Sequence, residues 1–437
     1  MKGAYRVATL FTISFWALTH WVSAAPQIQF LPTETVVLGE PVIVKITGLE
    51  PNARVTLQAE AADVGDNIWR SVAVFQASGD GVVDVSRQAP LEGGYNGVDP
   101  AGPFWSMTQS TARPAAPLPT EANADIMVFT ALVDGKAVAS ARHQRWYTAP
   151  DVISTPVMRG RTIGRFFKPS GSGPFPGLIL VGGTSGGIGW QQSHAALLAS
   201  VGYAALALPY FGMPGLPEYL EEVPLEYFGD ALEWMKSEPS VDAGHIGVIG
   251  VSKGGELALL LGSTYPDLRA VVAFSPSSVV FQSVAPEWPN TSSWSKDGQP
   301  LPYVPYDIPD TYRESGRLSD VYEASLKNEE AVKTAAIPVE RTNGAILVIS
   351  GESDRMWPSK RMCEQIRDRL RSANFTHAFE HLSFPDAGHT IAGPGYSRMR
   401  RVMETGGTVE GNSRAMAQGW AGMLAFLEKH LKDGKGQ

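Results

Sequence analysis

The stretch that most limits how this chain can fold is Ile246-Gly247-Val248-Ile249-Gly250-Val251-Ser252-Lys253-Gly254-Gly255-Glu256. An apolar run ends in a serine set between glycines, and a helical pattern follows at once. This is the layout of strand, sharp turn and helix. The turn is so tight that small residues must flank the serine, and the hydroxyl is left standing above the sheet. The helix N-terminus beneath it favours developing negative charge. Ser252 is therefore the candidate nucleophile; the plainer reading makes it a helix cap. Gly183-Thr184-Ser185-Gly186-Gly187 has the same spacing, but it leads into Gly189 rather than a compact apolar helix, so it reads as a loop.

From about residue 151 the chain alternates strands and helices, which predicts an α/β class with a mostly parallel sheet. Leu178-Ile179-Leu180-Val181 is a continuous apolar run, the mark of a strand buried on both faces. Strands are also expected at 203–208, 246–251, 270–274, 345–349 and 378–384. Helices are expected at 191–201, 225–236, 253–265 and 415–431. Residues 277–340, rich in Pro, Ser, Asp and Tyr, break the rhythm and read as a lid-like excursion over the sheet. Before this, residues 25–150 show short alternating strands such as Val42-Ile43-Val44 and Val55-Thr56-Leu57, punctuated by Gly39-Glu40-Pro41 and Gly48-Leu49-Glu50-Pro51. This spacing predicts a small β-sandwich that closes with Ile126–Leu132.

Lys2 and Arg6, the mostly apolar Val7–Thr19 and the small residues Val22-Ser23-Ala24 form a secretory-leader pattern over residues 1–24, with cleavage near Ala24. The apolar core is shorter than the roughly 20 residues a membrane span needs. Export to the periplasm or medium is the expectation, with no membrane anchor left after cleavage. The whole chain of 437 residues carries a formal charge of −8, and losing Lys2 and Arg6 with no acid leaves the rest near −10. That argues against nucleic acid as a partner and against a polybasic membrane surface. Cys363 is the single cysteine, so no disulfide framework and no thiolate metal site forms within the chain.

A serine nucleophile needs a base, and the base needs an orienting acid. In α/β-hydrolases they follow in the order Ser, Asp or Glu, His, each in a loop after a strand. The strand at 345–349 runs into Ser350-Gly351-Glu352-Ser353-Asp354-Arg355-Met356-Trp357, where Asp354, deeper in the loop, is favoured over Glu352. The strand at 378–384 runs into Pro385-Asp386-Ala387-Gly388-His389, which makes His389 the base. His377 and His381 read as exposed or structural. The oxyanion hole takes one N–H from Lys253 and one from Gly183 or Thr184 in the glycine-rich loop. The Lys253 side chain is expected to pair with Glu256 along the helix. Trp357 reads equally as a lining of the acyl site or as packing. Arg355, Lys360, Arg361, Arg398, Arg400 and Arg401 form a basic set, more in keeping with a solvated face than with a phosphate site. No metal and no organic cofactor is implied.

Several further motifs resemble one family. They are Gly48-Leu49-Glu50-Pro51, the run Gly97–Met107, Gly173–Gly177, Gly250–Leu257, Ile337–Arg341, Ala387-Gly388-His389 and Ala415–Gln418. Together they are similar to the acyl-CoA thioesterases and the bile acid-CoA:amino acid N-acyltransferases. The resemblance implies an immunoglobulin-like sandwich ahead of an α/β-hydrolase domain, with a triad of Ser252, Asp354 and His389. The acyltransferase branch is known for cysteine at the nucleophile position, so Ser252 implies hydrolysis of an acyl thioester or ester, with water as acceptor. The alternatives are an exported carboxylic ester or lactone hydrolase, an acyltransferase to an amine, and a binding protein whose hydrolase domain is inert.

Overall fold

The structure is a computed structural model that describes residues 25–397 and 405–432, apart from Glu34, Val64 and Ala115. The leader expected at residues 1–24 and the basic residues Arg398, Arg400 and Arg401 lie outside the described residues.

The first part of the chain forms two sheets. β1 (Gln27–Leu31), β3 (Ile43–Thr47) and β6 (Val83–Asp84) make the smaller one. The larger has seven strands. They are β2 (Thr35–Val37), β4 (Arg54–Ala62), β5 (Ile68–Gln76), β7 (Glu92–Gly93), β8 (Thr108–Ser110), β9 (Ala124–Val133) and β10 (Lys136–Trp146). Alternation sends one face of each strand inward. Val44 and Ile46 of β3, Val55, Leu57 and Ala59 of β4, and Ala73 and Phe75 of β5 share one core with Phe104 of the single-turn helix α1 (Gly102–Trp105).

The larger sheet does not close at Leu132 as the periodicity predicts. β10 follows β9 across the Asp134-Gly135 turn, where both residues have positive φ, 49° and 74°. Such a turn matches the twist of an antiparallel pair. β10 is hidden in the sequence because two of its buried positions are His143 and Arg145 rather than aliphatic residues.

The second part is an eight-stranded sheet in the order β11-β12-β14-β13-β16-β17-β20-β21. Its strands are β11 (Ile153–Arg159), β12 (Thr162–Lys168), β13 (Phe175–Val181), β14 (Ala204–Ala207), β16 (Val241–Val251), β17 (Leu268–Phe274), β20 (Ala345–Gly351) and β21 (Phe379–Phe384). From β14 to β21 every neighbouring pair is parallel. β11 and β12 are an antiparallel hairpin at one edge that the sequence reading lacks. β11 contains Pro156 and is exposed at all but Val157, so it shows no apolar face to recognise.

The continuous apolar runs bury both faces. Ile179, Val248, Val271 and Ile346 face α3 (Leu225–Ser237), α4 (Lys253–Thr264) and α8 (Ser359–Ser372). Leu180, Ile249, Val272 and Leu347 face α2 (Gly189–Ser200) and α9 (Val409–Leu427). Each such side chain contributes on the order of 1.5–3 kcal/mol. α9 starts ahead of the expected Ala415, capped by Thr408, whose hydroxyl accepts the Gly411 N–H at 2.9 Å, and it passes into a π turn at Glu428–Lys432.

Residues 277–340 leave after β17 and rejoin at β20. They hold β18 (Trp294–Lys296), β19 (Gln299–Pro300), α5 (Asp310–Ser315), α6 (Leu318–Ser325) and α7 (Glu329–Ala335), and β15 (Val223–Pro224) pairs with β18. They have a small core of their own, in which Phe281, Val304, Tyr322 and Leu326 meet Trp357 and Met362.

Candidate active site

β16 delivers Ser252 into a conformation that non-glycine residues rarely adopt, φ 58° and ψ −123°. The glycines around it are required by space. A Cβ at Gly250 would run into the Gly254 carbonyl, one at Gly254 into the Gly182 carbonyl, and one at Gly255 would lie 2.9 Å from the Phe274 oxygen. The turn is pinned by Ser252 N–H to Phe274 O at 2.9 Å and Glu256 N–H to Ser252 O at 3.0 Å. Ser252 occupies the N-cap of α4, yet its side chain makes no capping bond. The hydroxyl lies instead 2.9 Å from His389 Nε2.

The opposite ring nitrogen, His389 Nδ1, lies 2.9 Å from Asp354 Oδ2. The two side chains are only 8% and 2% exposed, so the pair is shielded from bulk water. Asp354 is over-determined. Its Oδ1 accepts the Met356 N–H at 2.9 Å, and Oδ2 also accepts the Ser359 hydroxyl at 2.7 Å. Two consecutive hydrogen bonds therefore run from carboxylate to serine. Glu352, the competing acid, is turned away, held by Lys360 at 2.9 Å and Ser383 at 3.0 Å. His381 is tied to Ser350 at 2.8 Å inside β21, and His377 is exposed.

Beside the serine, a Cβ at Gly183 would lie 3.2 Å from Ser252 Cβ, so the backbone of this loop touches Ser252. Thr184 is exposed, as is Ser185 of the second glycine-flanked serine pattern. Lys253 opens α4, where backbone N–H groups have no acceptor within the helix. Its side chain is buried, as is that of its partner Glu256, 2.5 Å away. Trp294 Nε1 donates to the same Glu256 oxygen at 2.8 Å, which stitches the 277–340 segment to the serine helix. Burial lowers the Lys253 pKa and raises that of Glu256, since each charge loses its water.

Trp357 is buried and stands edge-on to His389, ring centres 5.6 Å apart, with Phe281 stacked on it at 6.0 Å. Its Nε1 donates to Ser275 O at 3.0 Å. It is thus a wall between the histidine and the excursion. Of the basic set, Lys360 pairs with Glu352, and Arg361 pairs with Glu323 at 3.0 Å.

Three supporting residues escape sequence reasoning. Ser275, at φ 43°, donates its hydroxyl to the His389 carbonyl at 2.9 Å. Ser359 holds Asp354 and could have been noticed as the polar residue following Pro358 at the start of a helix. Asn412 Oδ1 accepts the Gly388 N–H at 2.7 Å, which fixes the residue before the histidine from α9. Nothing in its sequence context marks that role.

Comparison with known proteins gives two family matches. Residues 39–159 match the acyl-CoA thioester hydrolase/BAAT N-terminal region, and residues 223–433 match the BAAT/acyl-CoA thioester hydrolase C terminal. The mouse acyl-coenzyme A amino acid N-acyltransferase 2 is 32% identical, over 93% of this chain and 98% of its own. The mouse mitochondrial acyl-coenzyme A thioesterase 2 is 30% identical over 94% and 91%. The human acyl-coenzyme A thioesterase 1 is 30% identical over 90% and 94%. Among solved structures, a dienelactone hydrolase-like promiscuous phosphotriesterase from metagenomic libraries aligns with 64% of this chain and 99% of its own, at 18% identity and a TM-score of 0.40.

Proposed function

Because the chain belongs to the acyl-CoA thioester hydrolase/BAAT family, we propose that it is a serine hydrolase that cleaves acyl thioesters of the acyl-CoA type through an acyl-enzyme. The observation that carries this reading is the unbroken chain of hydrogen bonds from Asp354 through His389 to a serine that is not spent on capping its helix. Relatives named as thioesterases and as N-acyltransferases support the acyl thioester as substrate class. Serine at position 252 supports water as the acceptor.

His389 Nε2 takes the Ser252 proton as Oγ attacks the thioester carbonyl, and Asp354 holds the imidazole in the tautomer that can accept it. The Lys253 N–H and an N–H from Gly183 or Thr184 receive the oxyanion. Collapse expels the thiol, protonated by His389. Water, deprotonated by the same histidine, then releases the free acid and restores Ser252.

A second reading, an exported carboxylic ester or lactone hydrolase, is favoured by one observation, the leader pattern in residues 1–24, since CoA thioesters belong to the cytoplasm. Export is itself part of the proposal, and N-terminal sequencing of the protein from a native host should begin at Ala25. The deciding experiment compares acyl-CoA and oxygen esters of one acyl chain on residues 25–437, with Ser252→Ala as the blank. A higher kcat/KM on acyl-CoA and a loss of several orders of magnitude in Ser252→Ala are expected. Turnover of oxygen esters alone would move the substrate class to the second reading. Undiminished activity in Ser252→Ala would remove the serine mechanism.

A further inference from the structure

The chain leaving His389 touches its own domain's core and does not stay there. Its first step is local, with Ile391 buried beside α9 and the Ala392 carbonyl accepting the Trp190 indole N–H at 3.2 Å. It then crosses to the N-terminal domain. A Cβ at Gly39, in the turn between β2 and β3, would lie 2.8 Å from Pro394 Cβ. Tyr396 sits in the β-domain core itself. Among the described residues, it is the one buried member of that cluster from beyond Ala131. Its ring packs edge-on against Phe104, centres 5.5 Å apart. Its backbone is held at φ 61°, a conformation costly for a bulky residue unless neighbours impose it.

The imposing neighbour is Arg145. One guanidinium nitrogen donates to the Tyr396 carbonyl and another to Asp125, and the guanidinium lies 4.8 Å from the Phe104 ring centre. Arg145 and Asp125 are 1% and 4% exposed. A buried ion pair is expensive to desolvate, and an apolar pair of similar volume often serves stability as well. The planar fork of arginine does what an apolar pair cannot, since it grips an acceptor on each side at once. Here the second acceptor is a backbone carbonyl of the segment that carries the base.

We propose that the N-terminal β domain is a working part of the active site, with Arg145 and Tyr396 as positioning residues that hold His389 in register with Ser252 and Asp354. The inference rests on the reading of His389 as the general base. The histidine backbone is held at its own N–H by Thr405 O at 3.0 Å, at its carbonyl by the Ser275 hydroxyl and one residue earlier by Asn412, and the Tyr396 anchor holds the outgoing chain seven residues on. Releasing the anchor removes the hold on the stretch beyond Ile391 and Ala392, so that the outgoing chain pulls on the histidine backbone through those two residues alone. Near-attack geometry lost over about 1 Å can cost on the order of 100-fold in rate.

The test uses the full chain carrying Tyr396→Ala, the conservative Tyr396→Phe, and the double variant Arg145→Met/Asp125→Leu, which removes the grip without stranding a buried charge. In Tyr396→Ala and the double variant, kcat should fall about 10- to 100-fold with KM within about twofold. Tyr396→Phe, which keeps the ring packing, should stay near wild type. Independently of turnover, the downfield proton resonance of the Nδ1–H between His389 and Asp354 should be sharp in wild type and in Tyr396→Phe. It should broaden or vanish in the other two. Unchanged kcat and an unchanged resonance in both disrupting variants would overturn the proposal, as would a rise in KM alone. A wild type that hydrolyses no ester, yet shows a resonance that the variants lose, would sink the catalytic reading and leave the positioning intact.

Discussion

Replacing Lys253 with Met tests what the buried pair beneath the nucleophile does. The side chains of Lys253 and Glu256 are 1% and 0% exposed, and their nitrogen and oxygen are 2.5 Å apart. Removing the ammonium strands a carboxylate left to neutral donors, the Trp294 indole N–H and the Phe281 backbone N–H. Breaking a buried pair on one side costs about 3–5 kcal/mol. Glu256→Leu should cost a similar amount by stranding the lysine. The double variant Lys253→Met/Glu256→Leu strands no charge. It leaves neutral donors unpaired, the Trp294 and Phe281 N–H groups, a penalty on the order of 1–3 kcal/mol. The double variant should therefore be more stable than either single one, with a coupling of at least about 3 kcal/mol. The pH dependence has a definite sign. Burial raises the Glu256 pKa above its unfolded value, so the folded state of Lys253→Met prefers the protonated acid. The variant should lose stability as pH rises from about 5 to 8, when that proton must leave. Urea denaturation followed by far-UV circular dichroism at both pH values gives all the numbers. Additive single substitutions, or a Lys253→Met cost below about 1 kcal/mol, would refute the reasoning.

Asp354→Asn keeps the shape but presents an amide where His389 needs an acceptor, so turnover should drop about 1,000- to 10,000-fold with folding intact, read from kcat and thermal melting. Gly254→Ala places a methyl group against the carbonyls of Gly182 and Val181, neither of which can swing aside. Labelling of Ser252 by a fluorophosphonate probe should fall about 5- to 150-fold in the soluble fraction, the effect of about 1–3 kcal/mol of overpacking at the turn. His194 is half-buried with its ring stacked on Trp190, and loss of water around the imidazole pushes it down to about 4 from the usual 6.5. The folded state then binds fewer protons than the unfolded one between these values, so stability is lost as pH falls from 6.5 to 4. The loss from this group is about 3 kcal/mol. In His194→Gln the stability measured at pH 4 relative to pH 7 should improve by about that amount.

Much of this architecture is legible from residue order because both faces of the central strands are buried, which forces unbroken apolar runs at Leu178–Val181, Ile246–Val251 and Ala345–Ile349. The spacing of Ser252, Asp354 and His389 is likewise local, each following its own strand, and the structure brings the three together. What stays hidden is of two kinds. β10 and β11 lack the apolar alternation that marks a strand, one because Arg145 and His143 fill buried positions, the other because it is an exposed edge. Ser275, Asn412 and Tyr396 act across sequence distances that no local pattern reports. Ser275 is brought to His389 only because β17 lies two places from β21 in the sheet. Arg145 shows a further limit, since an arginine in a strand reads as a solvent-facing residue until its partners are known.

The route of residues 277–340 bears on how this enzyme can change. β17 and β20 pair directly, from Ala270 with Ala345 to Phe274 with Ile349, so the sheet closes whether the intervening segment is long or short. The serine, acid and histidine all sit outside that segment, while it supplies the aromatic wall over Trp357. The candidate triad and the aromatic wall beside it are therefore encoded in separate stretches of gene. Loop length can vary between Tyr306 and Leu318, while Tyr322, with its ring centre 5.2 Å from that of Trp357, has to stay to keep the wall against His389. Phe281 and Trp294, which reach back to Lys253 and Glu256, mark where such freedom stops.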